Sequence, residues 1–341
     1  MSEPQTGTSA GTRTPEARAS AWEPHVVEAP EAGHALADWI APRADEVDEL
    51  LREHFAVLLR GFVIGSAEGF GRVLEAIGHD PLQYTQRSTR RTREAEGVYT
   101  STEYPPALPI ALHSENSFQS EWPRRITFCS LVVADTGGIT PLADNAAVYR
   151  AIPDAVKQEF LRRQIKYVRN FGGGLELPWQ EAFQSERRED VEDYCAQHDI
   201  AWTWKTGDRL MTEQVLPAAI MSPARGDPLW LNQAHLFHVT NIAPEIREAL
   251  LRAMPASDLP RHAYFGDGAP IPDEHMDAIR SAYEASTVRV PWQVDDLLLV
   301  DNMHVAHGRD PFTGNRKVLV AMSDLLSFGD CEVVTADGER A

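Results

Sequence analysis

LLLVDNMHVAHGRDPFTGNRKVLVAM, residues 297–322, is the stretch on which the reading of the fold turns. Its first run, 297–302, is apolar up to Asp301-Asn302 and reads as a buried strand; residues 317–322 read as a second one. Between them stand His304 and His307, followed by Arg309 and Arg316. Histidines placed just after a buried strand suit a site at the mouth of a barrel. The two strands therefore predict a β-rich core with polar chemistry at one end.

Working upstream, residues 126–133 (ITFCSLVV) read as another buried strand, and Gly137-Gly138 marks the turn after it. Residues 110–112 lead as a strand into His113-Ser114-Glu115. If 111–116 is extended, His113 and Glu115 share one face and Ser114 points away. Two imidazoles and a carboxylate on one face of an octahedral ion are the ligand set of non-haem Fe(II) oxygenases, which leave the opposite positions open. Candidates for the second histidine come in pairs three residues apart, His235 with His238 and His304 with His307. Either pair could share a helix face as zinc ligands, but neither belongs to an H-E-x-x-H motif. His307 heads HGRDPFTGNR and so brings arginines beside a metal. An open iron site must also anchor a dianionic cosubstrate, and an arginine fork binds a carboxylate in two places. Arg316 is well placed for that, Arg309 is the competing choice, and the Thr140 hydroxyl could share the carboxylate.

The rest of the chain alternates short strands and helices. Helical spacing covers 35–55, a strand-like run covers 57–64, and helices are expected near 68–77, 146–152, 154–163, 244–253 and 273–285. Residues 170–215 look like an insertion carrying a loop and a helix at 186–197. Strands in both halves with helices between them predict an α+β, mainly β fold, one jelly-roll core covered by helices. The expected organisation is a flexible tail over 1–22, rich in Ser, Thr, Pro and Gly, then a single domain over 23–341.

Composition narrows the function classes. The chain has 341 residues, 43% hydrophobic and 24% charged, as in a soluble globular protein. No apolar run approaches the ~20 residues of a membrane helix, and the N-terminus has no apolar core of a secretory signal. Cys129, Cys195 and Cys331 are too few and scattered for a disulfide framework or a cysteine zinc site, and fit a reducing, cytoplasmic setting. A net charge of −19 argues against nucleic acid or an anionic membrane as general partner. The local exception, Arg87, Arg90, Arg91 and Arg93, could rim the site for an anionic substrate or an acidic carrier protein.

Several stretches together resemble the TauD/TfdA-type Fe(II)- and 2-oxoglutarate-dependent dioxygenases: LHSENSFQSEWP (112–123), GGITPLADNAAVY (137–149), YVRNF (167–171), LPWQEAF (177–183), WLNQAHLFH (230–238), YFGDGAPI (264–271) and 297–322 itself. The similarity runs from about 57 to 322 and is greatest to the branch of the syringomycin aspartyl hydroxylase, whose relatives modify amino acids in specialised metabolism, including nonribosomal peptide and antibiotic biosynthesis. The resemblance implies a double-stranded β-helix of the cupin type and iron ligands His113, Glu115 and His307, with His307 preferred to His304. It implies that Arg316 and Thr140 hold the distal carboxylate of 2-oxoglutarate, with O2 as second cosubstrate. Val320-Ala321 stand where taurine dioxygenase carries a further arginine; Ser114, Phe118 and Ile139 also depart from the usual pattern. Related radical halogenases have a small residue where Glu115 stands, so halogenation is not expected. The implied reaction is hydroxylation of an unactivated C–H of an amino acid, free or carrier-tethered, with Asn116, Ser117, Asn232, Arg90 and Arg91 as candidate substrate contacts. Desaturation, epoxidation or cyclisation by the same chemistry is the alternative reading, and a non-catalytic cupin-like binding protein a third. The sequence leaves the oligomeric state open.

Overall fold

The structure, a computed structural model, describes residues 22–79, 82, 93–95, 98–100, 104–174 and 176–336. Its core is two facing sheets. The larger has seven strands in the order His25–Glu28, Ala56–Arg60, Leu297–Asp301, Glu121–Val132, Lys317–Ser327, Val98–Thr100, Arg93–Ala95. The smaller orders Thr287–Val288, Leu142–Asp144, Val305–Arg309 and Ile110–His113. Apart from the parallel edge pair at His25–Glu28, the pairings in both sheets are antiparallel. This is the expected double-stranded β-helix.

The period of two along Leu297–Asp301 explains the layering. Leu297 and Leu299 face outward, into a layer with Leu36, Ile40, Val47, Leu51 and Phe70 from the helices Leu36–Ile40, Ala44–His54 and Ala67–Ala76. Leu298 and Val300 face inward, onto Phe128, Leu142, Val305, Val318 and Val320 between the sheets. A strand buried on both faces is continuously apolar, which is why this run was legible. Pro42 splits the helical run of 35–55 with a short 3-10 turn, Ala41–Arg43. Ser66 caps the next helix, its hydroxyl accepting from Gly69 N at 3.1 Å.

The expected insertion has its helix, at Arg188–Gln197, but much of what was read as loop is strand. Ala201–Lys205, Arg209–Leu216, Ile165–Phe171 and Arg261–Phe265 form a four-stranded antiparallel sheet, with the helix Arg188–Gln197 beside it. Ile165 and Phe265 of this sheet join Phe160, Met276 and Ile279 of two helices in one apolar cluster with Ala143 and Ala306 of the small core sheet. Trp22, the last residue of the expected tail, donates its indole N–H to His54 O at 3.1 Å; residues 1–21 lie outside the described residues. Among the described residues no helix is long and apolar enough to cross a membrane.

Candidate active site

His113 and His307 are direct cross-strand partners on the neighbouring strands Ile110–His113 and Val305–Arg309, and their ring centroids are 4.6 Å apart. Opposite residues of an antiparallel pair bring their Cβ atoms within ~5 Å, so residues far apart in sequence meet by register alone. The Nδ1 proton of His113 goes to Ala111 O at 2.9 Å, which leaves its Nε2 lone pair turned toward Glu115, 4.0 Å from Oε2. Phe128 meets the His307 ring edge-on at 5.1 Å. One ligand atom from each of His113, Glu115 and His307 lies within 4.8 Å of the other two. Two imidazole nitrogens and a carboxylate oxygen, gathered at a cavity wall, fit a non-haem Fe(II) ion.

Glu115 reaches this cluster in a way the sequence did not predict. The strand stops at His113, and Glu115 sits in the following turn, where Asn116 takes a left-handed φ of 59°. The strand ladder therefore does not aim the carboxylate; Asn302 does. Its Oδ1 accepts from Glu115 N at 2.6 Å, while its Nδ2 donates to Glu115 O at 3.0 Å and Pro123 O at 2.8 Å. Further side chains fix the preceding residues. His235 Nε2 bonds Leu112 O at 2.8 Å, Gln233 Nε2 donates to Ser114 O at 2.7 Å, and Asn145 Nδ2 donates to Ser114 Oγ at 2.9 Å. Sequence reading missed Asn302, Gln233 and Asn145 as positioning residues. The only signal was the polar Asp301-Asn302 that ends an apolar strand.

The cluster opens into a cavity that is also lined by Ile110, Thr140, Arg309, Arg316, Val318 and Val320. Arg316 Nε donates to Gly138 O at 2.8 Å and its Nη2 to Thr140 Oγ1 at 3.4 Å. Gly138 is required here: its φ is +68°, and a Cβ would come within 3.0 Å of Arg316 Cδ. Burial, reinforced by the neighbouring Arg309 charge, lowers the Arg316 guanidinium to about 10, so it remains a cation at neutral pH. Arg309, the rival anchor, is tied elsewhere. Its Nη1 donates to Tyr104 O at 2.9 Å, and its Nη2 to Pro105 O and Leu108 O at 2.7 Å each. It pins the 104–108 loop against the small sheet.

The other sequence candidates separate. His304, wholly buried, pairs with Asp301 Oδ1 at 2.8 Å through Nδ1 and with Ser222 Oγ at 2.7 Å through Nε2. It stacks on Phe55 and is structural. His238 bonds Thr240 Oγ1 at 2.9 Å. Two expected substrate contacts need correcting. Ser117 donates to Ser114 O at 2.9 Å, and Asn232 donates to Ala218 O at 2.8 Å while accepting from Ala234 N at 3.1 Å. Both are buried against main chain, and neither lines the cavity. Asn116 is buried with no hydrogen-bond partner for its Oδ1 among the described residues. Arg87, Arg90 and Arg91 lie outside the described residues; Arg93 begins a strand of the large sheet.

Comparison with known proteins gives the family. Residues 20–322 match the model of the taurine catabolism dioxygenase TauD, TfdA family. The chain belongs to that family. It is a non-haem iron dioxygenase that uses Fe(II), 2-oxoglutarate and O2. The dapdiamide synthesis protein DdaC of Enterobacter agglomerans is 45% identical over 278 residues, 82% of this chain and 84% of the relative. A clavaminate synthase-like protein of Arabidopsis thaliana is 30% identical over 288 residues, 81% and 83% of the two chains. Among solved structures, PvcB of Pseudomonas aeruginosa shares the fold with a TM-score of 0.52 at 16% identity, covering 89% of this chain and 87% of that one.

Proposed function

We propose that this dioxygenase hydroxylates an unactivated C–H bond of an amino acid or amino-acid-derived substrate, free or held on a carrier protein, in specialised metabolism. His113, Glu115 and His307 hold the iron, and Arg316 with Thr140 holds the distal carboxylate of 2-oxoglutarate. The observation that carries the reading is that one cavity contains both groups, a three-donor metal cluster and a half-buried cation with a hydroxyl beside it. The relative named for dapdiamide synthesis supports the metabolic setting.

When bound, the iron with its cosubstrates supplies the oxidation: 2-oxoglutarate becomes succinate and CO2, one O2 oxygen enters succinate and the other the product. The protein's own residues prepare for this. Arg316 and Thr140 set the depth and direction of the keto acid by its far end, so that its other end meets the histidines. Ile110, Phe128, Val318 and Val320 wall the cavity with apolar groups and limit water beside them. Glu115 occupies the third ligand position that a halogenase would leave to chloride, which sets the outcome toward oxygen insertion.

An oxygen-consumption screen against free and carrier-loaded amino acids, with succinate and product mass as readouts, tests the assignment. A gain of ~16 mass units with stoichiometric succinate is expected. A loss of ~2 would transfer the reading to desaturation or ring formation, and a chlorinated product would contradict it.

A further inference from the structure

Thr140 is 6% exposed, and two donors converge on its oxygen. The indole Nε1 of Trp292 donates to Thr140 Oγ1 at 3.1 Å, and Arg316 Nη2 does so at 3.4 Å. A hydroxyl has two lone pairs and one proton, whereas an indole N–H and a guanidinium can only donate. With both lone pairs engaged, the Thr140 proton has to point away from Trp292 and Arg316. Among the described residues no hydrogen bond takes that proton; Thr140 lines both the hollow on the Trp292 side and the cavity of the metal cluster, and the cavity is the direction away from the indole.

Trp292 itself does not line that cavity. It stands behind Thr140 in a small hollow with Pro24, Leu58, Val290 and Leu298. The turn that carries it is braced from below by Arg60, which donates to Pro291 O at 2.8 Å and to the two Asp296 carboxylate oxygens at 3.0 and 2.7 Å. Asp296, wholly buried, also accepts from Gln293 N at 2.7 Å. The ring is thus held in place by a half-buried ion pair and has little freedom to turn away. This matters because a threonine hydroxyl otherwise rotates to suit its ligand, accepting as easily as donating.

We propose that Trp292 is a positioning residue that locks the Thr140 hydroxyl as a donor, making the distal end of the cosubstrate site donor-only. Such an end accepts an ionised carboxylate, which offers lone pairs alone. It rejects a distal amide, whose NH2 would need an acceptor that the locked hydroxyl no longer provides. Trp292 is therefore a determinant of specificity for the dicarboxylate form of the cosubstrate. The inference rests on the reading of Thr140 and Arg316 as the 2-oxoglutarate carboxylate site.

Equilibrium titration of the anaerobic Fe(II) protein with 2-oxoglutarate and with its distal amide, for wild type and variants, tests it. Trp292→Phe removes the N–H and keeps a ring. Affinity for 2-oxoglutarate should fall about five- to tenfold, the value of one neutral hydrogen bond, and discrimination against the amide should narrow by a similar factor. Fe(II) affinity should not change, as it would if the substitution merely loosened the fold. In a Thr140→Val background the same substitution should have no further effect. If the phenylalanine variant does not fold, benzothienylalanine at 292, an isostere of tryptophan without the N–H, gives the same comparison. Wild-type affinity and discrimination in either protein overturn the role of Trp292. Should Arg316→Ala also leave 2-oxoglutarate affinity intact, the underlying site assignment falls instead.

Discussion

The side-chain amide of Asn302 treats Glu115 as a neighbouring strand would, accepting from its N–H and donating to its C=O. It lies five residues before His307 on the same chain segment, so one short stretch carries the distal histidine and also aims the carboxylate. Replacing it tests whether that aim matters. Asn302→Ala leaves buried main-chain groups without partners, and Asn302→Asp sets a carboxylate against the Glu115 and Pro123 carbonyls. Each should weaken Fe(II) or Co(II) binding about 10–100-fold in a direct metal titration, the usual cost of losing a group that orients a ligand. Wild-type metal affinity in both variants would contradict the role. At this scale the sequence showed donors but not their supports. His113, Glu115, His307, Thr140 and Arg316, the proposed iron ligands and carboxylate anchors, have donor or cationic side chains and could be proposed from residue type and motif. Asn302 has meaning only once residues 187 positions apart are known to touch. Ser117 and Asn232 misled for the converse reason: short polar side chains near a site commonly serve buried main chain.

Among the elements, the apolar strands and the helices Ala44–His54, Ala67–Ala76 and Asp273–Ala285 were legible because their periodicity is set by burial. The sheet formed by residues 165–171, 201–205, 209–216 and 261–265 was not. Ala201–Lys205 is largely exposed and Arg209–Leu216 alternates exposed or half-buried with buried residues, so neither has the continuous apolar signature of the core. Its edge strand Arg261–Phe265 carries a titration that can be measured. Burial, reinforced by the neighbouring His238, pushes His262 down to about 4 from an ordinary value of 6.5. The folded protein thus keeps this imidazole neutral, while the unfolded chain protonates it below about 6.5. The contribution to stability is complete above that value and is lost as pH falls toward about 4, by about 1–3 kcal/mol. Urea midpoints should fall across this window, and His262→Phe should flatten the slope. An unchanged slope would remove His262 as its origin.

In the whole molecule, the two imidazoles meet because Val305–Arg309 pairs with Ile110–His113 in the small sheet, and the arginine meets them because the last long strand, Lys317–Ser327, starts beside the cavity. The jelly-roll topology is what turns three separate segments of sequence into one site. The most direct test is anaerobic addition of Fe(II) and then 2-oxoglutarate to the purified protein, followed by visible absorption. The account predicts a metal-to-ligand charge-transfer band in the wild type and in His304→Gln, and no band in His307→Ala. A correctly folded wild-type protein that gives no band, or a His307→Ala protein that keeps it, would contradict the account.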